Sequence, residues 1–410
     1  MRKLKIDYYA IATFVLFFCL ANLPAYDYIG LSRVMNLLRM AASCVVLALY
    51  IIKRMVVQHK LSWIIVLICM MQFWILVCTV VNQGLVFTAA VNLVSIVGIA
   101  FAFEILKNRP VSLLKGLMRL CELLCYANLL LIVLFPNGLY RSSTYWQNWL
   151  LGYKNQFVPY FIVACLVAYI FRCQGGSRLR EWGIYTVCMI SSLLVESSTS
   201  IVGFFLLLLL IWIHRVFHTH YSAYFMTCVN AILVIAIPVL RLQEMFSFVI
   251  EVILGRDLSF TGRTDLWDKV LQIIQKNPIL GYGIQETEEI MSVLGYRWAY
   301  HAHNLILDIL LDGGFPLLIM YLMLIVLICR HLHRFEKTEV AQGAIIMLFA
   351  FQIMGLMEVY SSAFLYIIYF LAYYVKDFVS TFEVYGEEKR RRKRVRIKWG
   401  SYIGRGKYNA

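Results

Sequence analysis

Two residues of this chain stand where a side chain could do chemistry. Arg263 opens the run Arg263-Thr264-Asp265-Leu266-Trp267, and His303 lies in His301-Ala302-His303-Asn304. Both belong to the one long polar stretch of an otherwise apolar chain. The spacing from Arg263 to Lys276 predicts a helix, with Leu266, Trp267, Val270, Leu271, Ile273 and Ile274 on one side. A cation in its first turn opposes the helix dipole, unless an anion binds both the guanidinium and the free amides. The plain alternative is a solvated Arg, or one paired with Asp265 or Glu286. Asn304 is a good N-cap, so His303 precedes a helix start, where imidazolium is disfavoured and a neutral base is favoured. The plain alternative there is interfacial packing. His301 is two residues away and is expected to point to the other side of the chain, so no metal site is expected from the pair.

Nothing else in the sequence supplies a reaction motif. There is no phosphate-binding P-loop, no H-E-x-x-H and no nucleophile elbow. The expectation is an enzyme that uses neither ATP nor a metal or other cofactor. Such an enzyme needs an activated donor, for example a lipid-linked sugar diphosphate.

The elements that must hold these residues are membrane helices. Of 410 residues, 61% are hydrophobic and the mean hydropathy is +0.74, well beyond a soluble domain. About twelve apolar runs approach spanning length: 8–24, 34–52, 62–81, 85–106, 112–135, 157–171, 183–196, 200–213, 222–241, 304–329, 342–359 and 362–378. The seventh and eighth are parted only by Ser197-Ser198-Thr199 and read as two short helices or one interrupted region. The fold class is therefore all-α, a polytopic membrane domain over 1–378 with a basic tail over 379–410.

Short loops carrying Lys53, Arg54, Lys107, Arg109, Arg172 and Arg330 alternate with basic-poor ones, which puts both termini in the cytoplasm. Two long loops, 137–156 and 242–303, then fall on the outer face. They carry Arg141, Lys154, Arg241 and Arg263 against the general bias, as a negatively charged ligand would require. Gly281 and Gly283 mark a tight turn, and Met245–Leu254 reads as interfacial.

The net charge of +15 is concentrated in Lys389-Arg390-Arg391-Arg392-Lys393-Arg394, which suits anionic membrane lipids and not nucleic acid. The eleven Cys show no metal or disulfide spacing; ten lie in apolar runs and Cys173 in a short loop. Arg39, Glu196, Asp308 and Glu358 map near the outer ends of spans, where charge is costly and usually functional or paired. Arg119 and Glu122 are spaced to pair with each other.

The ordered motifs carry a resemblance. Arg263-Thr264-Asp265-Leu266-Trp267, Asn277-Pro278-Ile279-Leu280-Gly281-Tyr282-Gly283, His303-Asn304-Leu305-Ile306-Leu307-Asp308 and Gly313-Gly314-Phe315-Pro316 resemble the O-antigen polymerase and O-antigen ligase family. Gly152-Tyr153-Lys154-Asn155 looks more like the capsular or exopolysaccharide polymerases of that family than its ligases. The resemblance implies a multi-pass protein of the bacterial cell membrane. It would move a growing glycan from undecaprenyl diphosphate onto a sugar hydroxyl of a lipid-linked repeat unit at the outer face. A ligase passing finished glycan to another acceptor is the alternative in the family, and a lipid-linked oligosaccharide flippase the alternative of another class.

Carried onto this chain, His303 and Arg263 are the catalytic pair. Lys154, Asn155, Arg141, Arg241, Asn304 and Glu196 are expected around the diphosphate or glycan. Partners implied are the undecaprenyl-diphosphate-linked oligosaccharide, membrane lipids, and the flippase and chain-length regulator of such a pathway. The segment Glu196-Ser197-Ser198-Thr199-Ser200 lacks the Arg found there in ligases, so Arg141, Lys154 or Arg241 substitutes, or the site has fewer cations. Pro316 in the last motif is expected to alter a helix end.

Overall fold

A computed structural model of the chain describes residues 7–57, 61–142, 145–238, 263–296 and 299–379. Arg241, Arg256, Arg297, Met245–Leu254 and the basic tail lie outside the described residues. The described chain is helical, with only isolated bridges, Tyr140 to Asn148 and Trp149 to Gly152, in the loop before the middle helices.

The helices are α1 (Tyr8–Leu20), α2 (Ala25–Tyr28), α3 (Ser32–Val57), α4 (Trp63–Val81), α5 (Val86–Leu106) and α6 (Pro110–Leu134). There follow α7 (Val158–Cys173), α8 (Arg178–Leu194), α9 (Ser198–Phe217), α10 (Ala223–Ala236), α11 (Arg263–Lys276) and α12 (Thr287–Leu294). The chain ends in α13 (Leu305–Arg334), α14 (Glu339–Met354) and α15 (Tyr366–Tyr373). Among the described residues, seven segments are long and apolar enough to cross a membrane, and four further apolar helices are shorter. Every apolar run of the sequence coincides with a helix, and this is a polytopic all-α membrane protein. Cys173 closes α7 and does not lie in a loop.

The seventh and eighth runs are two helices, α8 and α9. Glu196 turns the chain between them with φ +53°, a left-handed value that a continuous helix cannot contain. Glu122 does not pair with Arg119. Its carboxylate takes the guanidinium of Arg180 on α8, 2.6 Å from Nε, because tertiary packing brings a two-pronged partner closer than the same helix offers.

Side-chain bonds show which helix ends lie together. Asp7 ahead of α1 meets Ser112 and Lys115 of α6, both at 3.2 Å. Glu104 of α5 meets Ser62 ahead of α4 at 2.9 Å and bonds Tyr374 after α15. At the opposite end, Tyr160 of α7 bonds the carbonyl of Asn22, and Leu85 N donates to Ile284 O at 2.8 Å. Helices α7 and α14 form the centre: Val158 through Ile170 and Val340 through Phe351 are buried without a break. A helix apolar on all sides belongs inside the bundle, whereas α3 leaves Leu37, Val45, Ile52 and Met55 exposed.

A second, smaller apolar cluster caps the end of the bundle opposite Asp7. Leu266, Trp267, Val270, Ile273 and Ile274 of α11 pack with Leu294 of α12 and with Leu307, Leu310 and Leu311 of α13. This cluster carries the motifs singled out above.

Candidate active site

Helix α13 is broken near its start, and the break explains two motifs at once. Gly313 and Gly314 are non-helical, Gly314 at φ +62°, ψ −164°, and Pro316 has no N–H to give. The carbonyls of Leu311 and Asp312 therefore lose their helical donors. They accept instead from Tyr282 N at 2.7 Å and Gly283 N at 2.9 Å, while Phe315 N donates to Pro278 O at 2.8 Å. Trp74 Nε1 takes Gly313 O at 2.8 Å. Gly283 has φ +68° and runs so close to α4 that a Cβ would stand 2.5 Å from Thr79 Cα. The Asn277–Gly283 and Gly313–Pro316 motifs are two halves of one clasp. Pro316 thus shapes a break within α13 and not its end.

The clasp fixes the angle of the first two turns of α13, and Asn304 fixes its start. Asn304 is fully buried; its Oδ1 accepts from Ile306 N at 3.0 Å and Leu307 N at 3.1 Å. Its Nδ2 donates to Leu356 O at 3.0 Å, tying α13 to the segment 355–362. Its side chain is spent on backbone, so it positions neighbours instead of presenting itself to a ligand. On the other side, buried Trp267 donates from Nε1 to Ala302 O at 3.1 Å, which fastens α11 to the histidine segment.

These ties converge on a residue that sequence reasoning had marked only as a charge near a span end. Glu358 is buried, in the irregular segment after α14. Its Oε1 lies 3.2 Å from His303 Nδ1 and 3.2 Å from His301 Nε2, and accepts from Val359 N at 3.1 Å. Its Oε2 accepts from Asn155 Nδ2 at 2.6 Å and lies 3.7 Å from an Arg263 Nη2. The available signal was that Glu358 is the only Asp or Glu between Glu339 and Asp377 in an apolar stretch.

The two histidines are not on opposite sides. Their ring centroids are 4.0 Å apart. His303 has φ +48°, and this left-handed turn folds the chain back so that both rings reach one carboxylate. The expected divergence holds for an extended segment, and this one is not extended. His303 N donates to His301 Nδ1 at 3.1 Å, which leaves the His301 proton on Nε2, facing Glu358. A His303 proton on Nδ1 facing the same oxygen puts its remaining lone pair on Nε2.

Electrostatics fit this arrangement. Burial alone raises the Glu358 carboxyl, but His303, His301 and Arg263 outweigh it and hold the group down at about 2. Burial pushes His301 down to about 3, helped by His303 and Arg263 and opposed by Glu358. Near neutral pH the centre is one carboxylate, a neutral His301 and one guanidinium. His301, His303 and Glu358 could also hold a metal ion, since their ligand atoms lie within 4.8 Å of one another. Both Glu358 oxygens already have protein partners, and Arg263 competes for the same carboxylate.

The remaining expected residues divide. Asn155 belongs to the centre and links it to α9, with its Oδ1 accepting from Ser197 Oγ at 2.9 Å. Lys154 Nζ donates to the carbonyl of Glu196 at 3.3 Å, so Lys154 stands at the segment that lacks an Arg. Glu196 contributes this carbonyl and its left-handed turn, while its side chain is exposed. Arg141 is exposed and stacks on Trp146, 5.1 Å from the ring centroid, and does not join the centre. Arg39 is buried away from it, bonded to Asn22 and Asn36 at 2.8 and 3.0 Å. Arg241 lies outside the described residues.

A cavity of about 450 Å³ opens beside Glu358 and His301, in the size range of small-molecule sites. Tyr145 and Tyr300 form part of its wall; Tyr145 stacks on Tyr153 at 4.0 Å and meets the edge of Tyr300 at 5.4 Å. Asp308, one turn into α13, also lines it and accepts from Ala302 N at 2.9 Å.

Comparison with known proteins gives one finding. Residues 184–322 match the family described as O-antigen ligase, whereas no curated protein and no solved structure gives a match. The matched segment contains Arg263, both histidines and both halves of the clasp, and ends before Glu358. This match supports the resemblance of residues 184–322 to the O-antigen polymerase and ligase family, whose members are membrane glycosyltransferase-like enzymes.

Proposed function

We propose that the protein is a polysaccharide polymerase. It transfers a growing glycan from undecaprenyl diphosphate to a sugar hydroxyl of a lipid-linked repeat unit, at the outer face of a bacterial cell membrane. The observation that carries this reading is the joining of His303, Glu358 and Arg263 beside the cavity. The acceptor hydroxyl attacks the anomeric carbon of the donor while its proton passes to His303 Nε2. Glu358 holds the opposite nitrogen and stabilises the imidazolium that forms. The bond from the anomeric carbon to the diphosphate oxygen breaks, and undecaprenyl diphosphate leaves with the electron pair. Arg263, the first amides of α11 and Lys154 face the charge that develops there. Lys154 takes the part of the missing Arg.

The family match is to a ligase description, which keeps ligation of finished glycan as the second reading. The same residues serve it, and the two differ in the acceptor. Purified protein with lipid-linked repeat units alone should build a ladder of longer glycans without ATP, and equally well with EDTA. His303→Ala and Arg263→Ala should abolish it while folding normally. Elongation by both variants sinks the site. Transfer only after a different acceptor is added favours the ligase, and lipid-linked sugar carried across vesicles without elongation favours a flippase. Loss of the ladder in EDTA, restored by a divalent ion, makes His301, His303 and Glu358 a metal site.

A further inference from the structure

The cavity divides the labour of charge. Five carboxamides line it: Asn22, Asn92, Asn155, Gln156 and Gln285. Three acids, Asp308, Asp312 and Glu358, the imidazole of His301 and hydroxyls of Tyr, Ser and Thr88 complete its polar lining. Among the described residues no Lys or Arg lines it. Arg263 and Lys154 are not in the lining; Arg263 stands 3.7 Å from Glu358 Oε2, and Lys154 bonds the carbonyl of Glu196.

Part of this lining is prearranged. Asn22 accepts from Arg39, Gln156 accepts from Tyr153 N at 2.9 Å, and Asn155 is held by Glu358 and Ser197. Two atoms are not used in this way. Tyr360 is 6% exposed, and its hydroxyl has no hydrogen-bond partner among the described residues. The buried Gln285 Oε1 also has none. Buried polar atoms without a partner are costly, and a bound ligand with hydroxyl donors removes that cost. Asn92 stands within the otherwise apolar second turn of α5, a position that packing alone fills with an apolar residue.

We propose that this cavity is the acceptor-sugar site and that it selects uncharged sugars over uronic acids and phosphorylated sugars. This rests on the glycosyltransfer reading above. Amides, phenols and carboxyl groups match the hydroxyl and acetamido groups of neutral sugars, and the Tyr145 and Tyr300 rings offer faces to the pyranose. A sugar carboxylate or phosphate would be buried against the Glu358, Asp308 and Asp312 carboxyl groups with no Lys or Arg in the described lining to pair it, which is heavily penalised. The diphosphate of the donor meets Arg263 and Lys154, which stand outside this lining.

The test is saturation-transfer NMR on the purified full chain in nanodiscs. The probes are methyl trisaccharides ending in glucose, galactose or N-acetylglucosamine, set against the same cores ending in glucuronate or galacturonate. At least one neutral probe should bind about tenfold or more tightly than every acidic one, since tenfold is 1.4 kcal/mol. Tyr360→Phe and Asn92→Leu should weaken the neutral probe, and Asn92→Lys should narrow the gap to the acidic ones. Equal or tighter binding of an acidic probe overturns the proposal. So does the absence of binding by all neutral probes, or neutral binding unchanged in both Tyr360→Phe and Asn92→Leu. A glycan ladder without sugar selectivity defeats this inference and leaves the polymerase standing. Selective binding without any ladder defeats the polymerase and leaves an uncharged-sugar site.

Discussion

Glu358 and Glu181 sit at opposite ends of the bundle, and each is a buried carboxylate at the hub of a cluster. Glu181, in the first turn of α8, has no exposed side-chain area. Arg215 bonds it directly, Tyr185 Oη donates to it at 3.0 Å, and Arg172 lies 3.4 Å away. That cluster joins α7, α8 and α9 and is closed by charge. Around Glu358 the guanidinium stands off at 3.7 Å, the nearer partners are imidazoles and an amide, and a cavity opens beside the carboxylate. A carboxylate held tightly by arginines joins helices. One held by groups that can give and take protons, with its cation at longer range, is arranged for chemistry.

The contrast is broken if the two acids respond alike to neutralisation. Glu358→Gln should lower the rate of glycan elongation per folded molecule by about 100-fold or more, the scale of a lost acid–base function, beyond the stability its neutralisation removes. Glu181→Gln should act on stability alone. It leaves Arg172 and Arg215 buried without their counter-charge, which costs about 3–5 kcal/mol, while elongation per folded molecule stays near wild type. Unfolding scans on both variants, with initial ladder rates at equal folded protein, decide the matter.

The clasp offers the next test. Gly314 occupies a backbone region that only glycine visits freely, and a Cβ there would stand 2.4 Å from the carbonyls of Pro278 and Ile279. Gly314→Ala should destabilise by about 1–3 kcal/mol and loosen α11 together with the histidine segment. Hydrogen exchange should rise at Tyr282 and Gly283 and stay unchanged near Glu181. A smaller step separates Lys154 from Arg141. Lys154→Met should slow elongation about tenfold, as the weaker of two cations on the leaving diphosphate. Arg141→Met, on an exposed residue stacked on Trp146, should leave the rate within about twofold.

What the sequence disclosed follows from the range over which each signal acts. Apolar runs and the 3.6-residue period are local, so α11 and the spans flanking it are legible as helices. Arg263, His303 and Asn155 were legible as candidates, the first two from helix starts and all three from motif resemblance, and the fold brings all three to Glu358. Glu358 carries no motif, and its role comes from the fold returning α14 to the same end as α13, nearly a hundred residues after α11. The convergence of His301 and His303 depends on one left-handed φ at a non-glycine residue, which no local pattern announces. The converse is Arg141, a loop cation of the expected sign that the fold stacks on Trp146, apart from Glu358.

The finest test separates His301 from His303. His301 is pushed by burial from its ordinary 6.5 to about 3, so the folded protein keeps it neutral where the unfolded chain takes up a proton. Its contribution to stability is complete above pH 6.5 and declines as pH falls from 6.5 toward 3. Glu358, lowered from 4.5 to about 2, contributes fully above pH 4.5 and is lost as pH falls from there through 2. Of these two groups, only His301 contributes a slope between pH 6.5 and 4.5. Unfolding scans should show the wild type losing about 1–2 kcal/mol between pH 6.5 and 5 relative to His301→Gln, which carries no titrating ring. Glu358→Gln should keep that slope, because removing the carboxylate makes His301 harder to protonate still. If His301→Gln retains the wild-type slope and Glu358→Gln abolishes it, the imidazole facing Glu358 is charged in the folded protein. Glu358 then resembles Glu181, a carboxylate closed by cations, and the distinction between the two ends of the molecule fails.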